Sequence, residues 1–123
     1  MTSTTPPAGD SGHTRYPIEI DVHEVNRLIQ QGEDFLFLDV RQPDEFRIAS
    51  LPGTVLIPLG ELGHRLQELD PYRDSRIVVH CHHGARSMRA VMGLRQAGFA
   101  AAQNMAGGIE AWSQAIDPQV PQY

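Results

Sequence analysis

Between residues 17 and 116 the apolar residues arrive in two alternating rhythms, short continuous runs and runs spaced by three or four. The continuous runs are "FLFLDV" at 35–40, "TVLIP" at 54–58 and "RIVVH" at 76–80, with shorter candidates at 18–20 and 101–105. Apolar runs without polar alternation fit strands covered on both faces, as in a parallel sheet. The spaced runs lie between them. Asp21, followed three residues later by Glu24, resembles a capping box that opens a helix through Leu28 and Ile29, with Gly32 closing it. Residues 43–47 predict one short helical turn. Leu59, Leu62, Leu66 and Leu69 fall on one face of a predicted helix over 59–69, and Ala90, Val91, Leu94 and Ala97 on one face of another over 85–97, stopped by Gly98. A last helix is expected near 109–115. Strands alternating with helices predict an α/β domain: a central, mostly parallel sheet flanked by helices on both faces.

The flanks read differently. Residues 1–16, rich in Thr, Ser, Pro and Gly, are expected to be a flexible N-terminal leader, and residues 117–123, with two prolines and two glutamines, a C-terminal tail to the domain at 17–116. A chain of 123 residues suffices for one hydrophobic core. Fifteen acidic against ten basic residues give a formal charge of −5, the wrong sign for displacing counterions from phosphates, so no nucleic-acid partner is expected. The apolar runs fall far short of the roughly 20 residues that cross a bilayer. With no secretory apolar stretch at the N-terminus, the expectation is a cytoplasmic protein with no membrane partner.

The candidate chemistry centres on Cys81, the single cysteine, in "RIVVHCHHGARS". One cysteine forms no intramolecular disulfide, so it is either core filler or a reagent. Its place decides between them. It follows directly on a predicted strand and precedes a predicted helix by a few residues, and in parallel α/β sheets the crevice beyond the strands' carboxyl ends is where ligands bind. A thiol of ordinary pKa, about 8.5, is only about 3% ionised at pH 7, so a reactive one needs donors around it. The backbone N–H groups of His82, His83, Gly84, Ala85, Arg86 and Ser87 can curl round the sulfur as an anion nest, with the Arg86 guanidinium and the Ser87 hydroxyl adding further donors. Gly84 permits the tight turn.

Three segments together resemble the rhodanese domain family over nearly the whole domain: "FLDVRQPDEFRIASLPGTVLIPL", "HCHHGARS" and "NMAGGIEAWSQAIDP". The resemblance implies a sulfurtransferase in which Cys81 attacks the outer sulfur of thiosulfate or of a persulfide donor, becomes a persulfide, and yields that sulfur to a thiol or cyanide acceptor. The loop amides would hold the persulfide, and Arg86 would bind an anionic donor or help stabilise the charged sulfur. A sulfur-carrier protein is a further candidate partner, and no cofactor is implied. Four residues separate Cys81 from Arg86, as in the sulfur-transferring members, whereas related phosphatases carry one more, so a cysteine-dependent phosphatase ranks below both the enzyme and a non-turnover sulfur-relay or protein-binding module. The chain departs from the family pattern at Ala49, Ser50 and Leu51, where Gly-His-Ile is common.

Asp39, Arg41 and Glu45 end a strand and enter the next turn, and the resemblance makes them candidates for shaping the pocket. Pairing of Arg41 with Glu45 or Asp39 to fasten the loop is the stronger expectation for that residue. His82 and His83 are candidates for donor selectivity or exposed spacers. The run His80–His83 carries histidines and a cysteine, but adjacent residues point in different directions while zinc ligands come in spaced pairs, so no metal is expected.

Overall fold

The structure, a computed structural model, describes residues 16–123. Five strands, β1 (Glu19–Ile20), β2 (Leu36–Asp39), β3 (Thr54–Leu56), β4 (Ile77–His80) and β5 (Ala102–Met105), form one sheet in the order β1-β5-β4-β2-β3 with every pair parallel. Five α-helices connect and flank them: α1 (Val22–Gln30), α2 (Pro43–Ile48), α3 (Leu59–Leu62), α4 (Ala85–Gln96) and α5 (Gly108–Ala115). The chain leaves β2 toward β3 on one side and β4 toward β5 on the other, so the neighbours β2 and β4 mark a topological switch point, the place where parallel α/β sheets bind ligands.

Every residue of β2 and β4 is buried, as their unbroken apolar runs require. Alternation along these strands divides the core into two layers. Leu36, Leu38, Ile77 and Val79 pack with Leu62, Val91 and Leu94 under α3 and α4, while Phe37 and Val78 pack with Val25, Leu28, Ile109 and Trp112 under α1 and α5. The same parity carries Cys81 onto the α4 side with Ile77 and Val79. The sulfur's direction is therefore set by strand pleat.

Two local expectations are modified. Asp21 caps α1, accepting from the Glu24 amide at 2.9 Å, but the Glu24 carboxylate turns to Arg27 instead of reaching back, so the capping box is half made. The helix expected over 59–69 breaks into α3 and a 3-10 segment, Gly63–Tyr72, with non-helical angles at Arg65. Gly63 is a poor helix former and Pro71 lacks an amide donor. The four leucines still face the core, because 66 and 69 are three apart and a 3-10 turn keeps that spacing on one side.

Of the expected leader only Tyr16 lies within the described residues; its carbonyl accepts from Arg95 at 2.9 Å. Residues 117–123 fold back on the domain: Val120 is buried in the α1/α5 layer and its carbonyl accepts from Ser113 Oγ at 2.6 Å. Among the described residues no helix is long and apolar enough to cross a membrane.

A buried ion pair fixes the end of β2. Asp39 and Arg41 are both 0% exposed, with Arg41 Nη2 at 2.8 Å and Nε at 3.0 Å from the carboxylate and the Arg41 amide also on Oδ1. Arg41 further donates to the carbonyls of Ala49 at 2.7 Å and Glu45 at 3.3 Å, tying the strand end to both ends of α2. Burial opposes the guanidinium's charge, but the bonds to Asp39 and Tyr123 outweigh it and hold its pKa above the ordinary value. Removing one member of such a pair strands the other charge in the interior. Asp39→Ala should therefore lose about 3–5 kcal/mol of stability, read as a fall in the urea unfolding midpoint. An unchanged midpoint would show that the pair is dispensable.

Candidate active site

β4 ends at His80, opposite Asp39 in register, and Cys81 is the first residue beyond the ladder. Three residues later Gly84 turns the chain into α4 with φ +115, in the left-handed region where side chains strain, so glycine is required for its backbone rather than for space. Because Gly84 stands at the N-cap position and has no side chain, the first-turn amides lack a capping acceptor from that residue. The cysteine sulfur takes that part. Cys81 Sγ accepts from the Gly84 amide at 3.1 Å and from the Ser87 amide at 3.3 Å, with Ser87 Oγ also 3.3 Å away. Of the ring expected from His82 to Ser87, these two amides are the ones bonded to the sulfur among the described residues. Cys81 itself is only 1% exposed.

Ser87 has one hydroxyl proton and two claimants. It donates to Asn104 Oδ1 at 2.5 Å, an orientation fixed because Asn104 Nδ2 donates to Gly84 O at 3.2 Å and Glu19 Oε2 at 3.1 Å. While that bond holds, the contact to sulfur is completed by a thiol proton pointing at Ser87 Oγ. For a thiolate the hydroxyl must turn from Asn104 to the sulfur. The Ser87 hydroxyl thus links the sulfur to β5, where Asn104 sits.

The outer side of the loop is held by α5. The amides of Ile109 and Glu110 donate to the carbonyls of Cys81 at 2.9 Å and His82 at 3.1 Å. The approach is so close that a Cβ on Gly108 would lie 2.4 Å from His82 O and 2.5 Å from Cys81 O. Two helix N-termini therefore meet at the loop, α4 directing amides at the sulfur and α5 at the backbone behind it.

Arg86, expected to face an anionic donor, instead grips Glu45 of α2 with both terminal nitrogens, at 2.7 and 2.9 Å. The guanidinium, helped by the Gln42 amide and the Tyr123 phenol and opposed by burial, lowers the Glu45 pKa to about 2. Arg41 pairs with Asp39 and reaches only the backbone carbonyl of Glu45, so the three candidate pocket residues serve two separate ion pairs. His80, fully buried beside Asp39, has its pKa lowered by burial, which favours the neutral ring.

His82 is the centre of a stack, with His83 on one face at 3.9 Å and Tyr123 on the other at 3.9 Å and 6°. Burial, and next the His83 charge, push the pKa of His82 down. His83 Nε2 meets Glu110 Oε1 at 2.8 Å, and the ligand atoms of His82, His83 and Glu110 lie within 4.8 Å of one another. The two imidazoles are only 23° from parallel, so their lone pairs run in nearly parallel planes and a common metal would require breaking the stack. Ala85 is the exposed first residue of α4.

Sequence reasoning did not single out Asn104, Glu110 or Tyr123. Asn104 was visible as a polar residue in a run that had to be buried, and the Gly107–Gly108 pair as a tight turn. Nothing in "DPQVPQY" points to the Cys81 loop.

The family model described as the rhodanese-like domain matches residues 21–115. The adenylyltransferase and sulfurtransferase MOCS3-2 of Zea mays is 40% identical over 109 residues, a match covering 85% of this chain and 23% of that protein. A sulfurtransferase of Allochromatium vinosum is 33% identical over 96 residues, covering 78% of this chain and 88% of its own length. Among solved structures, the human single domain sulfurtransferase TSTD1 superposes with a TM-score of 0.72 at 26% identity, covering 80% of this chain and 97% of that one. The chain spans about a quarter of the length of the first curated relatives it matches.

Two outcomes test this geometry. Ser87→Ala removes the hydroxyl 3.3 Å from the sulfur, and loss of one hydrogen bond to the reacting group should slow alkylation of Cys81 by iodoacetamide about tenfold. An unchanged rate would assign the anion to the amides alone. The folded pKa of Glu45 lies below its ordinary value of 4.5, so the contribution of its ion pair is complete above about pH 4.5 and is lost as the pH falls toward about 2. The stability difference between the wild type and Glu45→Gln, from urea midpoints at several pH values, should stay level down to about pH 5 and narrow below about pH 4.5.

Proposed function

The chain belongs to the rhodanese-like domain family, and from that premise we propose that it is a sulfurtransferase moving a sulfane sulfur from thiosulfate or a persulfide donor to a thiophilic acceptor by way of a Cys81 persulfide. The observation that carries this reading is the position of Cys81 Sγ as acceptor for the Gly84 and Ser87 amides at the start of α4. Fixed dipoles aimed at one atom stabilise negative charge there without reorganising during the reaction.

In the first half-reaction the Cys81 thiolate attacks the outer sulfur of the donor. The new bond joins Sγ to that sulfur as the donor's sulfur–sulfur bond breaks, and the electron pair leaves with sulfite from thiosulfate, or with a thiolate from a perthiol. In the second half an acceptor attacks the outer sulfur of the persulfide and the electron pair returns to Sγ. Both attacks use preformed anions, so no residue need act as a general base. The 1% exposure of Cys81 calls for a slim donor or a movement of the rim.

A sulfur-relay reading, with donor and acceptor sulfur both borne on proteins, is favoured by the relatives in which the matching segment is about a quarter of a longer chain. The two readings share the persulfide and differ in what delivers it.

The test is intact mass spectrometry before and after thiosulfate, and separately after glutathione persulfide. A gain of about 32 Da is expected in the wild type and not in Cys81→Ser, with thiocyanate released when cyanide is added. No gain from either donor, while Cys81 remains reduced and open to alkylation, overturns the proposal. A gain from the perthiol alone assigns the donor to a persulfide, and a gain only from a persulfide borne on a protein selects the relay.

A further inference from the structure

The near-complete burial of the Cys81 sulfur raises the question of what moves when a donor enters. His82 and Arg86, at the two ends of the loop, are joined on its outer side by a circuit of side chains. The Tyr123 ring lies flat on His82, its phenol donates to Glu45 Oε2 at 2.9 Å, and the same Glu45 carboxylate holds both terminal nitrogens of Arg86. The phenol oxygen also accepts from Arg41 Nη1 at 2.8 Å, which fastens the circuit to the buried Asp39–Arg41 pair. A single side chain from outside the loop thus touches both His82 and the carboxylate that holds Arg86.

That side chain is also the exposed member of the circuit. Val120 is buried and held by Ser113, whereas residues 121–123 are exposed. Tyr123 is 36% exposed; its ring stacks on His82 and lies under the Arg41 guanidinium at 5.7 Å, its phenol makes two hydrogen bonds, and its backbone meets the His82 ring. The other members are rooted: Glu45 in α2, Arg86 in α4, and His82 through its carbonyl to α5.

We propose that Tyr123 is the specificity-determining gate of the Cys81 mouth: stacked on His82 and latched to Glu45 and Arg41 it admits slender donors, and a bulky donor enters only when the ring swings away. The donor selectivity rests on the sulfurtransferase reading, but gating of access to the thiol is measurable without it. The phenol is the latch and the ring is the barrier, so removing them separately gives a graded response.

The experiment measures alkylation of Cys81 by a small reagent, iodoacetamide, and a large one, fluorescein-5-maleimide, in the wild type, Tyr123→Phe and Tyr123→Ala at one pH. The ratio of large-reagent to small-reagent rate should rise about threefold in Tyr123→Phe, which keeps the ring and loses the latch, and at least about tenfold in Tyr123→Ala. The ratio of kcat/KM for glutathione persulfide to that for thiosulfate should rise in the same order. A merely structural role would move both rates together and leave the ratios flat; a ratio within about twofold of wild type in Tyr123→Ala overturns the gate. If instead the thiol gains no sulfur from either donor while the alkylation ratio rises as stated, the gate stands and the sulfurtransferase reading falls.

Discussion

Cys81 sulfur stands where a helix would otherwise have its capping side chain, and much of the surrounding architecture follows from that substitution. Gly84 at the N-cap contributes only backbone, so the sulfur and the first turn of α4 complete one another. Helix starts are normally satisfied by Ser, Thr, Asp or Asn oxygens, which are good acceptors when neutral or ionised. A neutral thiol is a weak acceptor and a thiolate a strong one, so the same amides reward the charged form over the neutral form. On the proposed function, structural capping and activation of the nucleophile are one interaction. Strand pleat makes it possible: an even count from Ile77 through Val79 to Cys81 turns the sulfur toward α4, and a one-residue slip of β4 would send it to the α5 side.

Charge around the sulfur is balanced locally. Arg41 answers Asp39 and Arg86 answers Glu45, with the Tyr123 phenol bridging the two pairs. The guanidinium groups therefore act on the loop chiefly by fixing α2 and the rim, and the direct stabilisation of negative sulfur falls to amide dipoles and the Ser87 hydroxyl. Such dipoles cannot be neutralised by a counterion, and their effect persists where mobile charges would be screened.

The fold was legible because its signals are strong and local. The unbroken runs at 35–40 and 76–80 are the two central strands, and the periodic run at 85–97 is α4 within one residue. The 59–69 helix was misread in type but not in face, since leucines spaced by three and four satisfy either helix and Gly63 and Pro71 decide against the longer one. The position of Cys81, Gly84 and Ser87 was equally readable, being a matter of a few adjacent residues. The partner of Arg86 was not. Its bond to Glu45 spans 41 residues, and the reach of Tyr123 to Arg41 spans 82, so neither leaves a trace in local spacing. Proline and glutamine around Tyr123 made the segment look unattached, although Val120 supplies the one apolar side chain needed to bury its turn.

Adding a second sulfur to Cys81 shifts the negative charge outward by about one sulfur–sulfur bond length, roughly 2 Å. The Gly84 and Ser87 amides, already at 3.1 and 3.3 Å from Sγ, cannot follow it without loosening from the inner atom. On the proposed chemistry the outer sulfur must then draw on other donors of the same turn, and the amides of Ala85 and Arg86 have no acceptor within the helix at its start. This accounts for a loop that offers more donors than a single thiolate uses. On that proposal the inner pair holds the unmodified sulfur, and the charge is handed along one helix terminus as the persulfide forms. The Ser87 hydroxyl, which in the thiol state is turned to Asn104, can serve either sulfur without any backbone movement. The rigidity imposed from behind by α5 and Gly108 is then an advantage, because the charge moves through the cradle while the cradle stays still.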